Sequence, residues 1–243
     1  MNISKSKVKC YMNCPLHFKY KYVFGLPEAT NHYAQRGIEV HDVLNKFFDY
    51  DFRQINSETP KNEFETIVKN LAGENYEKYQ KYYDNFVMFE VPQWDNTKKD
   101  ESIMPMYREV KIEINGLSGI IDRVDKLPNG EYIVIDYKTE QIKIKNEEKA
   151  LKKFDLELAM YAVMANQYLK LDVQKVGVLC LDDGRLLTKE ITEKEITEAF
   201  TIIDYVKRQV ENKCFDKPEK PDCYFCGFKT ACKGGKVDVG TNE

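Results

Sequence analysis

The sequence holds no apolar run long enough to span a bilayer, and Met1 to Lys9 alternate polar and basic residues where a secretory signal would be apolar. A membrane role is therefore not expected, and a cytoplasmic setting is the default. No internal repeat and no low-complexity linker is visible. Nor is there a Gly-x4-Gly-Lys-Ser/Thr phosphate loop, so any motor acting with this chain would be a separate one. A strong charge excess is also missing: the formal net charge is −3, which does not by itself announce a nucleic-acid binder. Seven cysteines in a reducing compartment are not expected to form a disulfide framework, and metal binding is the better reading of the clustered ones.

What is present is enough for one large domain, or one domain with a small appendage: 243 residues, 42% hydrophobic and 32% charged. Charge is unevenly spread. Lys5, Lys7, Lys9, Lys19 and Lys21 interleave with Tyr11, Phe18, Tyr20 and Tyr22, and Lys143, Lys145, Lys149, Lys152 and Lys153 form a second basic stretch. Lysines bind phosphates and aromatic rings stack on unpaired bases, although lysine-rich solvated faces are common.

Periodicity predicts a helix over 36–52, with Ile38, Val43, Leu44, Phe47 and Phe48 near helical spacing. It predicts helix again over 61–90 with a break at Gly73, then a loop over 92–104. Val110, Ile112 and Ile114 alternate ahead of the hairpin turn Asn115-Gly116. Strands follow over 117–125 and 131–139, joined at Pro128-Asn129-Gly130. A helix over 147–170, strands over 173–181 and 185–191, and a last helix opened by the capping box Thr192-x-x-Glu195 complete the order. This is a mixed α/β sheet with helices on its faces.

Asp122 and Asp136 lie equally far from Asn129, so the hairpin makes them cross-strand neighbours with Cβ atoms about 5 Å apart. At an effective dielectric of 20 two bare carboxylates there repel by roughly 3 kcal/mol, while a good cross-strand pair returns only about 0.2–1 kcal/mol. The arrangement calls for a cation, and Mg²⁺ or Mn²⁺ suits hard oxygen ligands. Asp136 and Lys138 share a face by strand alternation; an ordinary surface ion pair is the plainer alternative. His41 could supply an imidazole to a metal. Glu157 and Tyr161, four apart on a helix, could steer a phosphate backbone or water.

Near the C-terminus, Cys223-x2-Cys226-x5-Cys232 offers three thiolates in a short turn-forming stretch. A fourth ligand could be Cys14, Cys10 or Cys214, whereas Cys180 sits in an apolar strand and reads as core. On spacing, [4Fe–4S] and Zn²⁺ are equally suited. A cluster joining positions about 200 residues apart would remove roughly 5 kcal/mol of loop entropy from the unfolded chain, by analogy with a disulfide.

Five motifs occur in a fixed order: Tyr11-x-x-Cys14-Pro15-x-x-Phe18, Arg36-Gly37-x-x-x-His41, Gly119-Ile120-Ile121-Asp122-Arg123, Ile135-Asp136-Tyr137-Lys138-Thr139 and the C-terminal cysteine triad. Over about 5–235 the chain resembles the RecB-like branch of the PD-(D/E)XK nucleases. It is similar in particular to stand-alone iron–sulfur exonucleases associated with CRISPR adaptation and to the nuclease domain of AddB. The resemblance implies a restriction-endonuclease-like core over 36–212 with helical additions. It also implies an iron–sulfur subdomain made by 1–35 with 213–236, all within one nuclease domain spanning 1–243.

The resemblance further implies that Asp122 and Asp136 hold Mg²⁺ or Mn²⁺, with His41 and the Tyr137 carbonyl, and that Lys138 stabilises the developing phosphorane charge. Cys14, Cys223, Cys226 and Cys232 would ligate [4Fe–4S]. The family's glutamine is replaced by Glu157, with Tyr161 retained, which leaves the role of Glu157 open. The expected function is metal-dependent DNA cleavage on single strands or flaps, with CRISPR adaptation proteins or a separate helicase as partners. A non-catalytic nucleic-acid-binding adaptor on the same fold is the alternative.

Overall fold

The computed structural model describes residues 1–28, 31–56, 58–94, 103–142, 147–224 and 226–232. The chain opens with α1 (Lys5–Asn13), α2 (Pro15–Phe18) and a π-helical turn over Lys19–Val23, followed by α3 (His32–Phe47), α4 (Pro60–Ala72) and α5 (Tyr76–Glu90). Strands β1 (Tyr107–Ile114), β2 (Leu117–Lys126) and β3 (Tyr132–Lys138) form a meander. The helices α6 (Glu147–Lys152) and α7 (Asp155–Met164), the latter running into a π-helical turn over Ala165–Leu169, cross to β4 (Val173–Cys180) and β5 (Arg185–Glu190). The long α8 (Glu193–Glu211) and the short α9 (Lys229–Cys232) end the described chain.

One five-stranded sheet runs in the order β1-β2-β3-β4-β5. Only β3 and β4 pair in parallel; the other neighbours are antiparallel. The helical crossover explains this, because parallel neighbours need a long connection and hairpins do not. Ile121, Val134, Val176 and Val178 belong to one core with α1, α7 and α8, through Val8, Leu158, Met160 and Ile203. Ile133, Ile135, Tyr137 and Leu179 belong to the other, with the ring-rich helices α3, α4 and α5, through Phe47, Phe64 and Phe86. The mixed sheet with helices on both faces is the architecture read from periodicity.

Several boundaries differ from expectation. The helix α3 begins at His32, because the Asn31 side chain caps it by accepting from the Ala34 N–H at 2.9 Å. The expected 147–170 helix breaks at Lys153 and Phe154, where the Phe154 ring turns into the core. The break at Gly73 is present, with φ at +53°, a value that favours glycine. The capping box is complete: Glu195 N–H donates to Thr192 Oγ1 at 3.3 Å, and Thr192 N–H donates to Glu195 Oε2 at 2.9 Å. Ile38 is 61% exposed rather than part of the core stripe of α3. Residues 95–102 of the expected loop, Lys143 and Lys145 of the second basic stretch, and 233–236 of the expected terminal unit lie outside the described residues. No helix among the described residues is long and apolar enough to cross a membrane.

Ile3 fixes where α1 starts. It bridges to Leu117 in parallel, its N–H donating to the Gly116 carbonyl at 2.9 Å while the Ser118 N–H donates to its own carbonyl at 2.9 Å. The first turn of α1 is thereby pinned to the β1–β2 hairpin beside the motif glycine, Gly119.

Candidate active site

The β2–β3 ladder pairs Arg123 with Ile135 and Val124 with Val134; the same register, continued one step, sets Asp122 opposite Asp136. The paired ladder ends before that step. In its place, Tyr137 N–H donates to Asp122 Oδ2 at 2.8 Å. Both aspartates are buried and both line one cavity of about 800 Å³, together with Lys5, His41, Glu109, Ile38, Ile120 and Tyr161.

The repulsion expected between two bare acids is offset here by cations of the chain itself. His41 Nδ1 stands 3.5 Å from Asp122 Oδ1. Asp136 lies 3.3 Å from Lys5 Nζ and in a close ion pair with Lys138. Burial disfavours a protonated His41, but the Asp122 charge and hydrogen bond, with Asp136 behind them, outweigh it and raise its pKa. Asp122 is held below its ordinary value: burial pushes it up, and His41, the Tyr137 N–H and Lys138 more than reverse that. Lys138 is raised, burial being overcome mainly by Asp136.

Glu157 is fully buried. Its carboxylate lies 3.2 Å from Lys5, 3.1 Å from Lys9 and 3.2 Å from Lys138. It contacts lysines rather than lining the main cavity, so it neither repels phosphate as a bare charge nor stands solvated. Tyr161 lines the cavity because Gly119 leaves room for it: a Cβ at 119 would sit 3.1 Å from Tyr161 Cε1 and 3.2 Å from Met164 Cε.

The ligand set that gathers most tightly is not the expected one. Among the described residues His41, Glu109 and Asp122 each bring a ligand atom within 4.8 Å of the others, with Asp136 standing outside that trio. Glu109 was missed in the sequence although the same register rule finds it. The β1–β2 ladder, which pairs Arg108 with Arg123 and Val110 with Ile121, brackets Glu109 opposite Asp122. Glu109 has φ at +47°, in the left-handed region that a strand residue seldom adopts, and strain of this kind clusters at functional sites. Burial, then the Asp122 charge, raises its carboxyl pKa.

The site fits a hard divalent cation. Its donors are carboxylates and an imidazole, and Asp136 Oδ2 is a buried oxygen with no hydrogen-bond partner, Lys138 approaching it as an ion pair without hydrogen-bond geometry.

The basic and aromatic N-terminal stretch splits into two. Tyr11 and Phe18 are core residues, 3% and 0% exposed, and Phe18 stacks on Phe215 with centroids 6.3 Å apart. They do not offer faces to bases, because the amphipathic first helices need them to cover α8 and the sheet.

Cys14, Cys223, Cys226 and Cys232 line one small cavity with His17, Tyr20 and Phe228. Cys10 and Cys214, the other candidates for a fourth ligand, do not line it, and burial pushes the Cys10 thiol up to about 12. Cys180 is core, as expected. Among the described residues no three of these sulfurs come within 4.8 Å of one another, so the thiols are not already closed around a single ion. The walls of the cavity meet through ordinary contacts. Glu28 accepts from the Gly227 N–H at 3.0 Å and pairs with His17 and Lys21, while Asn13 exchanges two hydrogen bonds with the Asp222 backbone at 3.1 and 3.2 Å.

A model of the PD-(D/E)XK nuclease superfamily matches residues 2–233. A search of curated proteins found no relative. Among solved structures, the chain is similar to a candidate exonuclease from Eubacterium rectale, with a TM-score of 0.48 and 12% identity over 97% of this chain and 88% of that one.

Proposed function

The chain belongs to the PD-(D/E)XK nuclease superfamily, and from that premise we propose that it is a divalent-metal-dependent DNA nuclease of the RecB-like branch, cutting single-stranded or flapped DNA as an exonuclease. The observation that carries the reading is the convergence of His41, Glu109, Asp122 and Asp136 on one cavity of about 800 Å³, with Lys138 paired to Asp136 behind its wall. His41, Glu109 and Asp122, with Asp136 and the Tyr137 carbonyl, are the groups that would hold Mg²⁺ or Mn²⁺. Such an ion, when bound, supplies an activated water and neutralises charge on the phosphate being cut, leaving a 5′-phosphate.

The protein's own groups have separate tasks. Lys138, held by Asp136 and Glu157, presents an ammonium to charge developing on the phosphoryl oxygens. The Tyr137 N–H orients Asp122. Ile38 and Ile120, 61% and 45% exposed on the cavity wall, favour unpaired bases, whose faces are apolar, over a hydrated duplex backbone.

For the cysteines we propose a structural [4Fe–4S] cluster on Cys14, Cys223, Cys226 and Cys232. The support is that these four thiols line one cavity, Cys14 with the C-terminal triad, in the pattern of the resemblance; spacing alone suits zinc equally. Anaerobically purified protein is then brown; colourless protein with stoichiometric zinc overturns this part. On resemblance alone, the setting would be CRISPR adaptation or recombination and repair, with a helicase as a separate chain.

The non-catalytic alternative draws on Lys5 and Lys138, which already neutralise Asp136. Digestion of end-labelled single-stranded, duplex and flapped DNA with and without Mn²⁺ separates the two. The expected outcome is Mn²⁺-dependent product that Asp136→Ala lowers by at least about 10³-fold, a loss typical of removing electrostatic catalysis, while the melting curve stays cooperative. Undiminished cutting by Asp136→Ala would remove the mechanism.

A further inference from the structure

Three lysines meet the buried acids, and they differ in where they face. Lys5, Lys9 and Lys138 surround two carboxylates, Asp136 and Glu157. Of the three, Lys5 alone lines the cavity where His41, Asp122 and Asp136 lie. Its ammonium is 3.3 Å from Asp136 Oδ1, 3.2 Å from Glu157 Oε2 and 5.2 Å from the Tyr161 ring centroid.

Its backbone is anchored as firmly as its head. The Ile3 bridge pins the start of α1 to the sheet, and the Ser4 side chain caps the helix by accepting from Lys7 N–H at 3.3 Å. Ser4, Lys5 and Ser6 all line the cavity. The first turn of a helix also leaves N–H groups without intrahelical partners and carries partial positive charge, which adds to the ammonium. Were a divalent ion to occupy Asp136, Glu157 would remain as a partner for the Lys5 ammonium.

We propose that Lys5 is a phosphate-binding residue of this site, its ammonium fixed by Glu157 so that it receives a non-bridging oxygen of a phosphodiester in the bound strand. The assignment rests on the nuclease reading above. It gives Glu157 a task that glutamine would perform less well. An uncharged amide in the same place would hold three ammonium groups by hydrogen bonds alone, whereas a carboxylate also offsets their mutual repulsion. Glu157 is a positioning residue, and Lys5 the group that touches substrate.

The test compares Lys5→Met with Lys7→Met. Lys7 is on the same helix and its replacement changes charge equally, but its ammonium donates to the Asn2 carbonyl at 2.7 Å and does not line the cavity. The rate constant kcat/KM for an end-labelled single-stranded oligonucleotide in Mn²⁺ is measured across a salt series. Mn²⁺ affinity is measured separately without nucleic acid.

Lys5→Met is expected to lower kcat/KM by about tenfold or more at low salt, as loss of one charge-assisted hydrogen bond does, with the loss mainly in KM. The slope of log kcat/KM against log salt should fall by about 0.7–1. Mn²⁺ binding should be unchanged or tighter, because a competing cation beside Asp136 has gone, and Lys5→Arg should restore most of KM. Lys7→Met should leave the slope unchanged. An unaltered slope in Lys5→Met, an equal loss in Lys7→Met, or a parallel loss of Mn²⁺ binding overturns the proposal. Lys5→Gln, which keeps a polar hydrogen-bond donor there without the charge, replaces Lys5→Met if the latter melts early. If the wild-type protein binds the oligonucleotide without cutting it, the nuclease reading fails, and the salt slope of equilibrium binding still decides the role of Lys5.

Discussion

The acidic cavity is closed by hydrogen bonds and ion pairs that the chain makes for itself, whereas the cysteine cavity is lined by four thiols that stay apart. In the first, neighbouring strands set the acids side by side, and Lys5, Lys138, His41 and the Tyr137 N–H pair with them, leaving Asp136 Oδ2 without a hydrogen bond. In the second, residues about 200 positions apart are brought together by a few polar contacts: Tyr11 hydroxyl to the Cys214 carbonyl at 2.5 Å, Asn13 to Asp222, and Glu28 to Gly227. Bringing together such distant segments costs loop entropy, which a hydrogen bond worth about 1 kcal/mol offsets only in part. A site built on sheet register is positioned by local strand pairing; a site built on distant segments would gain most from a ligand that cross-linked its thiols.

The comparison breaks most severely at Glu157. Removing it leaves three lysines around a buried hole, and Glu157→Ala should cost about 3–5 kcal/mol of folding stability, the range for stripping one partner from a buried ion network. Urea unfolding measures it, and a loss below about 1 kcal/mol would mean that water already solvates these lysines.

The cysteine site sharpens the contrast from the other side. If the clasp is separate from the acids, Cys226→Ser should remove up to roughly 5 kcal/mol of stability, the cluster's cross-link being lost, and leave Mn²⁺ affinity within about twofold. The pair of readouts is urea unfolding and Mn²⁺ titration; a collapse of Mn²⁺ binding would show that the two cavities are one unit.

The smallest effect concerns pH. Burial raises the Glu28 carboxyl, but Lys21, the Gly227 N–H and His17 together hold it below its ordinary value of 4.5. A depressed carboxylate contributes stability that is present above that ordinary value and is lost as pH falls through the folded one. Hydrogen exchange of the Gly227 amide, taken relative to its intrinsic rate at each pH, should therefore accelerate below about pH 4.5, while the cooperative unfolding midpoint moves less. A flat relative exchange profile would show that Glu28 does not latch the loop. Close packing supports the latch, since a Cβ on Gly227 would lie 2.7 Å from Glu28 Cγ.

Much of this was legible in the chain. The turn near Asn129 set the Asp122–Asp136 register, which the ladder follows. The capping box at Thr192 and the break at Gly73 are local devices, and both appear where the sequence has them. Glu109 was legible but unread: equal distance from the Asn115-Gly116 turn pairs it with Asp122, as the same arithmetic paired Asp136. Lys5 and Lys9 were not legible as site residues, because 131 and 148 positions separate Lys5 from Asp136 and Lys9 from Glu157, and no local pattern encodes that meeting. Tyr11 and Phe18 looked like faces for bases and are core, since alternation with lysine on a helix does not distinguish an inward ring from an outward one.

The sequence by itself determined the strand meander, its two turns and therefore the row of acids across β1, β2 and β3, because hairpin register is a short-range property of turn position and side-chain alternation. Only the tertiary structure decided which cations meet those acids and which cysteine lines a cavity with the terminal triad. Those partners come from segments whose encounter depends on how the helices pack against the sheet, and packing is cooperative over the whole chain rather than written in any one stretch of it.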